Sequence, residues 1–153
     1  MNKNVNLFLG VIILAISFYG CKKAEKQLPL TSDEALITSK DWVMIAGEIA
    51  SQGGKIDFYR ILPDCQKDDL TRYNADNTTT YKSGAVKCNP DEPEVSPGGT
   101  WYLDKEKKIF ITYDSGDTTR MDILDLTATT FIVSETNSTG GNSVTTVITY
   151  SSK

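Results

Sequence analysis

The sequence predicts an all-β fold, an up-and-down antiparallel barrel of about eight strands that follows a signal peptide and a flexible tether. β-branched and aromatic runs recur through the C-terminal third of the 153 residues, with turn residues at near-regular spacing between them. No segment has the apolar periodicity of a convincing helix. Because a sheet of sequential antiparallel strands removes its exposed edges by closing, these runs favour a barrel.

The first 20 residues predict a signal peptide. One cation, Lys3, precedes an apolar run over residues 7–18. That run is too short to span a bilayer but suits the hydrophobic region of a signal peptide.

A cysteine ends the apolar run directly after a small residue, Gly20, and Lys22 and Lys23 follow it. Here the chain resembles a bacterial lipoprotein. The resemblance implies that Cys21 is lipidated and becomes the mature N-terminus, which attaches the protein to a membrane of the cell envelope, the outer membrane of a Gram-negative cell. Two or more acyl chains make a stable anchor. The alternatives are a secreted protein cut near the same place and a retained anchor helix.

Residues 21–39 predict a flexible tether, because they mix charges, contain Pro29 and show little apolar periodicity. Residues 33–37 suit a single helical turn capped by Ser32, too short to count as an element. The barrel domain is expected over residues 40–153.

Two strands are expected at the start of the domain. Residues 41–49 are apolar on both faces until Glu48 and predict a buried strand. Residues 55–62 alternate and predict a second strand that stops at Pro63.

The next segment is a hairpin framed by Cys65 and Cys88, with strands at residues 70–73 and 78–82 and a turn at 74–77. Three cysteines in a chain with a secretory leader fit one processed cysteine and one disulfide, here Cys65–Cys88. The alternative is three unrelated buried thiols. Asp68 and Asp69 predict a turn rather than a cation site, because adjacent side chains on an extended chain point apart.

Residues 89–99 contain three prolines and are expected to lack regular structure. Five strands are then expected, and their threonine-rich faces suit the outside of a soluble barrel. These strands cover residues 100–103, 108–113, 118–126, 130–136 and 143–151.

The domain resembles the lipocalin-like domain of small bacterial lipoproteins. The resemblance rests on Trp42, on the final hairpins and on three short stretches at residues 65–69, 99–101 and 121–124 (CQKDD, GTW and MDIL). The resemblance covers the last two-thirds to three-quarters of the chain. It implies the barrel fold, and it carries over no ligand-binding position.

Composition excludes several classes of function. A net charge of −4 without a basic cluster argues against nucleic-acid binding. Histidine is absent, which removes histidine-based nucleophile activation and imidazole metal sites. No nucleophile–base pair is recognisable, so we expect a protein that is not an enzyme, with no catalytic residue, cofactor or metal.

The aromatic side chains are numerous enough to line a small pocket. A barrel of eight strands is just wide enough to be packed solid or to hold one small ligand. We therefore predict an envelope lipoprotein that binds a small apolar or amphipathic ligand through Trp42, Trp101, Phe110 and Phe131. The alternative is an interaction or structural protein, such as an inhibitor or assembly accessory, with a packed barrel, no small ligand and a partner-binding loop at residues 89–98.

Overall fold

The structure is a computed structural model that describes residues 32–153, and within this range nine strands and three short helices are present. The signal peptide, Cys21 and the tether up to residue 31 lie outside the described residues. The helices are α1 (Ser32–Thr38), α2 (Phe58–Ile61) and α3 (Asp64–Lys67). The strands are β1 (Asp41–Ser51), β2 (Gly54–Asp57), β3 (Leu70–Tyr73), β4 (Thr78–Lys82), β5 (Val95–Asp104), β6 (Ile109–Asp114), β7 (Asp117–Leu126), β8 (Thr130–Thr139) and β9 (Asn142–Ser152).

The strands form one antiparallel sheet that closes on itself. From β3 onwards each strand pairs with the next along the chain, and β9 returns to pair with β1. The result is a closed barrel of eight strands with β2 as an extra strand. On its other edge β1 pairs with β3 through Asp41, Trp42 and Val43, and with β2 further along. The predicted up-and-down barrel is confirmed.

One end of the barrel is closed by α1. This helix packs against β3 and β7, and the Glu34 carboxylate lies 3.1 Å from the ammonium of Lys105 in the β5–β6 turn. Ile37 is fully buried, and its carbonyl accepts a 2.8 Å hydrogen bond from the Trp42 indole. Within the described residues, α1 thus packs on the barrel ahead of the boundary at residue 40 that the sequence predicts, because burial of Ile37 holds this short helix in place.

The strand predicted over residues 55–62 is wrong beyond Asp57. β2 ends there, and the chain then enters α2. The Asp57 side chain accepts a 3.0 Å hydrogen bond from the backbone N–H of Arg60, which is an N-cap. The Phe58 ring packs on the buried backbone of Gly47, where any Cβ would collide with it. A local cap and one close contact override the alternating pattern.

The loop predicted over residues 89–99 is also too long, because β5 begins at Val95. Pro97 lies opposite Thr80 beside a bulge between Thr78 and Thr80, where the loss of a backbone donor is tolerated. Gly99 has no side chain where the Tyr113 carbonyl approaches its Cα. Five residues of the proline-rich segment thus belong to the sheet.

The predicted disulfide between Cys65 and Cys88 is confirmed. Asp68 and Asp69 do not converge on a cation site. Their side chains accept hydrogen bonds of 3.1 and 2.9 Å from the backbone N–H groups of Val86 and Gly84. The disulfide and these bonds together hold residues 83–88 against the barrel wall. No helix within residues 32–153 is long and apolar enough to cross a membrane.

Candidate functional site

The barrel interior near α1 is packed with aromatic rings. Phe131 lies at the centre of this core, with ring centroids 5.3 Å from Phe110, 5.6 Å from Trp42 and 6.3 Å from Tyr73. Trp101 closes the cluster at 5.8 Å from Phe110. Most of these contacts are tilted or edge-to-face, the arrangements that aromatic pairs prefer.

All four residues predicted to line a ligand pocket belong to this core. Trp42, Trp101, Phe110 and Phe131 are each at most 2% exposed. The Trp101 indole donates a 3.0 Å hydrogen bond to the carbonyl of Asn74, so the polar groups of both tryptophans are satisfied within the protein. The structure therefore brings the four together as packing residues and leaves them away from the two cavities described next.

A cavity of about 240 Å³ lies above the aromatic core, on the side away from α1. We call this cavity the cup. Tyr73 belongs to both the core and the cup, and the Tyr150 ring rests 5.9 Å from Phe131. The cup is lined by Thr71, Tyr73, Thr79, Tyr81, Gly99, Thr100, Thr112, Tyr113, Asp114, Thr119, Met121, Ile148 and Tyr150. Its wall thus combines hydroxyl groups with a few apolar side chains.

Several of these hydroxyls lack a partner in the protein. Those of Tyr73 and Thr79 make no hydrogen bond to another described residue, although each residue is only 6% exposed. The same holds for Thr71, Thr112, Thr119 and Tyr150. Their oxygens are not sealed from solvent, since Asp68 Oδ1 is the one side-chain atom of the described residues that is fully buried without a partner. They are therefore open to water or to a ligand in the cup. The cup therefore presents unused donors and acceptors to whatever occupies it.

Three tyrosines of the cup, Tyr73, Tyr81 and Tyr150, remain protonated at physiological pH. Burial raises the pKa of Tyr73 well above its usual value and raises the pKa of Tyr150 to about 12. At the rim, burial and a 2.8 Å hydrogen bond from the Tyr81 hydroxyl to Asp114 raise the pKa of Tyr81 to about 12. The phenols of Tyr73 and Tyr150 are thus neutral groups that can donate and accept a hydrogen bond.

A second cavity, an open groove of about 910 Å³, runs along the outside of the barrel beside the disulfide-held segment. Four lysines line it, and three of them already have partners within the protein. Lys67 lies 3.1 Å from Asp64 and Lys82 lies 2.6 Å from Asp41. Lys87 donates to the carbonyl of Glu92. Most of its charges are therefore satisfied internally. Asp68 also lines the groove, and its Oδ1 is the one buried side-chain oxygen without a partner among the described residues.

Within residues 32–153, no group of histidine, cysteine, aspartate or glutamate side chains is arranged to hold a metal ion. The one charged side chain that lines the cup is Asp114 at its rim, which already accepts the hydrogen bond from Tyr81. Hydrogen bonding and packing are therefore the chemistry that this site offers.

The model of the lipocalin-like domain family matches residues 39–133, which is well over half of the chain. The protein belongs to the lipocalin-like domain family. No curated protein matches the chain. The matched range includes β1 to β7 and the start of β8, so it contains most residues of the cup. Ile148 and Tyr150 complete the cup from β9, beyond the matched range.

The hydroxyl side chains of the cup are not among the site residues predicted for this lipocalin-like protein from its sequence, because threonine-rich faces suit the outside of a soluble barrel. A signal was present in the alternation of Thr71 with Tyr73 and of Thr79 with Tyr81, which places each pair on one face of its strand. Tyr73 is buried within the aromatic core. Its strand neighbour Thr71 must therefore also face inward, which the pattern alone does not reveal.

Proposed function

We propose that this lipocalin-like protein is a lipid-anchored binding protein of the cell envelope, not an enzyme, and that it holds a small ligand in the cup. The observation that carries the proposal is the set of unpaired hydroxyls on a partly enclosed wall of a rigid barrel. Small-molecule sites are typically concave, with a few polar groups that fix the orientation of the ligand.

The cup supports a ligand with both polar and apolar parts. Met121 and Ile148 supply apolar surface, as do the rings of Tyr73 and Tyr150. The volume of about 240 Å³ corresponds to roughly eight water molecules at about 30 Å³ each. The site therefore suits a compact amphipathic molecule, and the tightly packed core leaves little room below it for a long alkyl chain.

This binding function is tested by filling the cup. Native mass spectrometry of protein extracted from its own envelope should show a non-covalently bound small molecule. Thr119→Phe places a ring at the cup wall and should abolish the bound mass. Thr118→Phe is the matched control, because Thr118 is the exposed neighbour of Thr119 on β7, and it should retain the bound mass. Absence of any bound mass in the wild type would argue against a small-ligand function.

The membrane attachment is a separate part of the proposal and rests on the sequence before residue 32. We expect Cys21→Ser to leave unprocessed precursor or released protein, because the acyl chains that hold the protein in the membrane would be missing. Membrane fractionation and the mass of the mature N-terminus measure this. Unchanged processing and fractionation would contradict the anchor.

A second candidate function, an interaction protein without a small ligand, is favoured by two observations. The core near α1 is solidly packed. The disulfide-held segment and the start of β5 also expose Val86 and Val95, and Val95 lines the outer groove. A stoichiometric protein partner in the same mass measurement, with no small molecule, would favour this candidate.

A further inference from the structure

The cup differs from an apolar calyx in its polar groups. Six of its buried or half-buried lining residues carry a hydroxyl without a partner among the described residues, and each hydroxyl can donate one hydrogen bond and accept others. An alkyl chain placed against this wall would leave them unpaired, and an unpaired buried polar group is destabilising. The wall therefore selects a ligand with several hydrogen-bonding groups of its own.

The charges around the cup exclude anions. No lysine or arginine is among its lining residues, and its one carboxylate, Asp114, stands at the rim. A carboxylate or phosphate entering the cup would lose hydration without gaining a cationic partner. Asp114 already accepts a hydrogen bond from Tyr81, so it offers little to a free cation.

Size and shape restrict the ligand further. The volume of about 240 Å³ is below the usual range of about 300–1,000 Å³ for pockets that hold drug-sized ligands. Tyr73 and Tyr150 contribute ring surface next to their hydroxyls, so a ligand needs C–H surface as well as hydroxyl groups. A small saturated ring that carries several hydroxyls meets both requirements.

We propose that the ligand of the cup is an uncharged polyhydroxy compound of monosaccharide size. This inference rests on the proposed function, because it assigns a chemical class to the same site. It narrows the small apolar or amphipathic ligand that the sequence suggests, since the residues expected to bind that ligand are core residues here.

The test is calorimetric titration of the folded barrel with three kinds of probe. These are neutral monosaccharides (glucose, galactose, mannose and N-acetylglucosamine), glucuronic acid as the anionic counterpart of glucose, and lauric acid as an apolar chain. We expect at least one neutral sugar to bind, and glucuronic acid to bind more weakly than glucose. We expect no saturable binding of lauric acid in the cup.

Tyr150→Phe removes one unpaired hydroxyl and keeps the ring that rests on Phe131. Loss of one hydrogen bond should weaken sugar binding about five-fold. The melting temperature should not fall, because the hydroxyl has no partner in the protein. Tyr102→Phe is the matched control on an exposed tyrosine that does not line the cup, and it should leave the affinity unchanged.

The outcomes separate this inference from the proposed function. Binding of lauric acid but of no sugar, with loss of that binding in Thr119→Phe, would overturn the assigned class and leave the binding function intact. Equal affinity for glucuronic acid and glucose would overturn the requirement for an uncharged ligand. Failure of every probe, together with no bound mass in protein from the envelope, would overturn both. Sugar affinity that is unchanged in Tyr150→Phe would contradict the assignment to the cup.

Discussion

Phe131→Ala should destabilise the barrel by about 3–5 kcal/mol, the usual cost of removing a fully buried phenylalanine. Phe131 is completely buried and its ring contacts those of Trp42, Tyr73, Phe110 and Tyr150. The barrel backbone is held by hydrogen bonds on both edges of β8, so we expect it not to collapse into the space left by the ring. A loss of this size is a large fraction of the total stability of an ordinary domain.

Denaturant unfolding followed by tryptophan fluorescence measures this change. Tyr102→Ala is the matched control, because Tyr102 is an aromatic strand residue that is 53% exposed, and we expect its loss to cost less than about 1 kcal/mol. A cost for Phe131→Ala as small as that of the control would contradict the packed core. The same result would reopen the possibility that the aromatic residues line a pocket.

Replacing Cys65 and Cys88 together by serine should lower the free energy of unfolding by about 3 kcal/mol. The disulfide joins residues separated by 23 positions. Closing a loop of this size lowers the entropy of the unfolded chain, which stabilises the fold by roughly 3 kcal/mol. The segment that carries Cys88 has few other ties to the barrel, among them the hydrogen bonds to Asp68 and Asp69. We therefore also expect faster amide exchange at Gly84 and Val86.

The control is to measure the stability of the wild type and of the double variant with and without a reducing agent. Reduction of the wild type should cause a similar loss of stability, whereas the double variant should not respond to the reductant. Two free thiols in protein purified from the envelope, or equal melting temperatures of variant and wild type, would contradict the role of the disulfide. The cup should keep its shape in the double variant, because the two cysteines are absent from its wall.

The barrel interior has a packed end and an open end, and this division explains how a small barrel can contain a site. Trp42, Trp101, Phe110 and Phe131 fill the interior near α1 and provide its stability. Above them, threonine side chains are too short to meet across the barrel, so an open space remains. Packing at one end thus permits polar, unpaired groups at the other.

The sequence by itself determined the strand pattern, since β-branched runs between turn residues predict extended segments. It also predicted the Cys65–Cys88 pairing, because the predicted leader assigns Cys21 to processing and leaves two cysteines to pair. The closed barrel followed from the number and order of the strands.

Only the tertiary structure decided where the site lies. Because side chains alternate between the two faces of a strand, Thr71 and Tyr73 share a face. This alternation does not show whether that face points into the barrel, nor at which height along the barrel axis each residue lies. The register between neighbouring strands sets that level, and it places Trp101 opposite Thr112 and Phe110 opposite Met121. The helical turn at Phe58 depended in the same way on a local cap at Asp57 and on contact with the distant Gly47. The aromatic side chains therefore predicted a filled barrel and a ligand pocket equally well. Their position along the barrel axis, which the register sets, places them in the packed core.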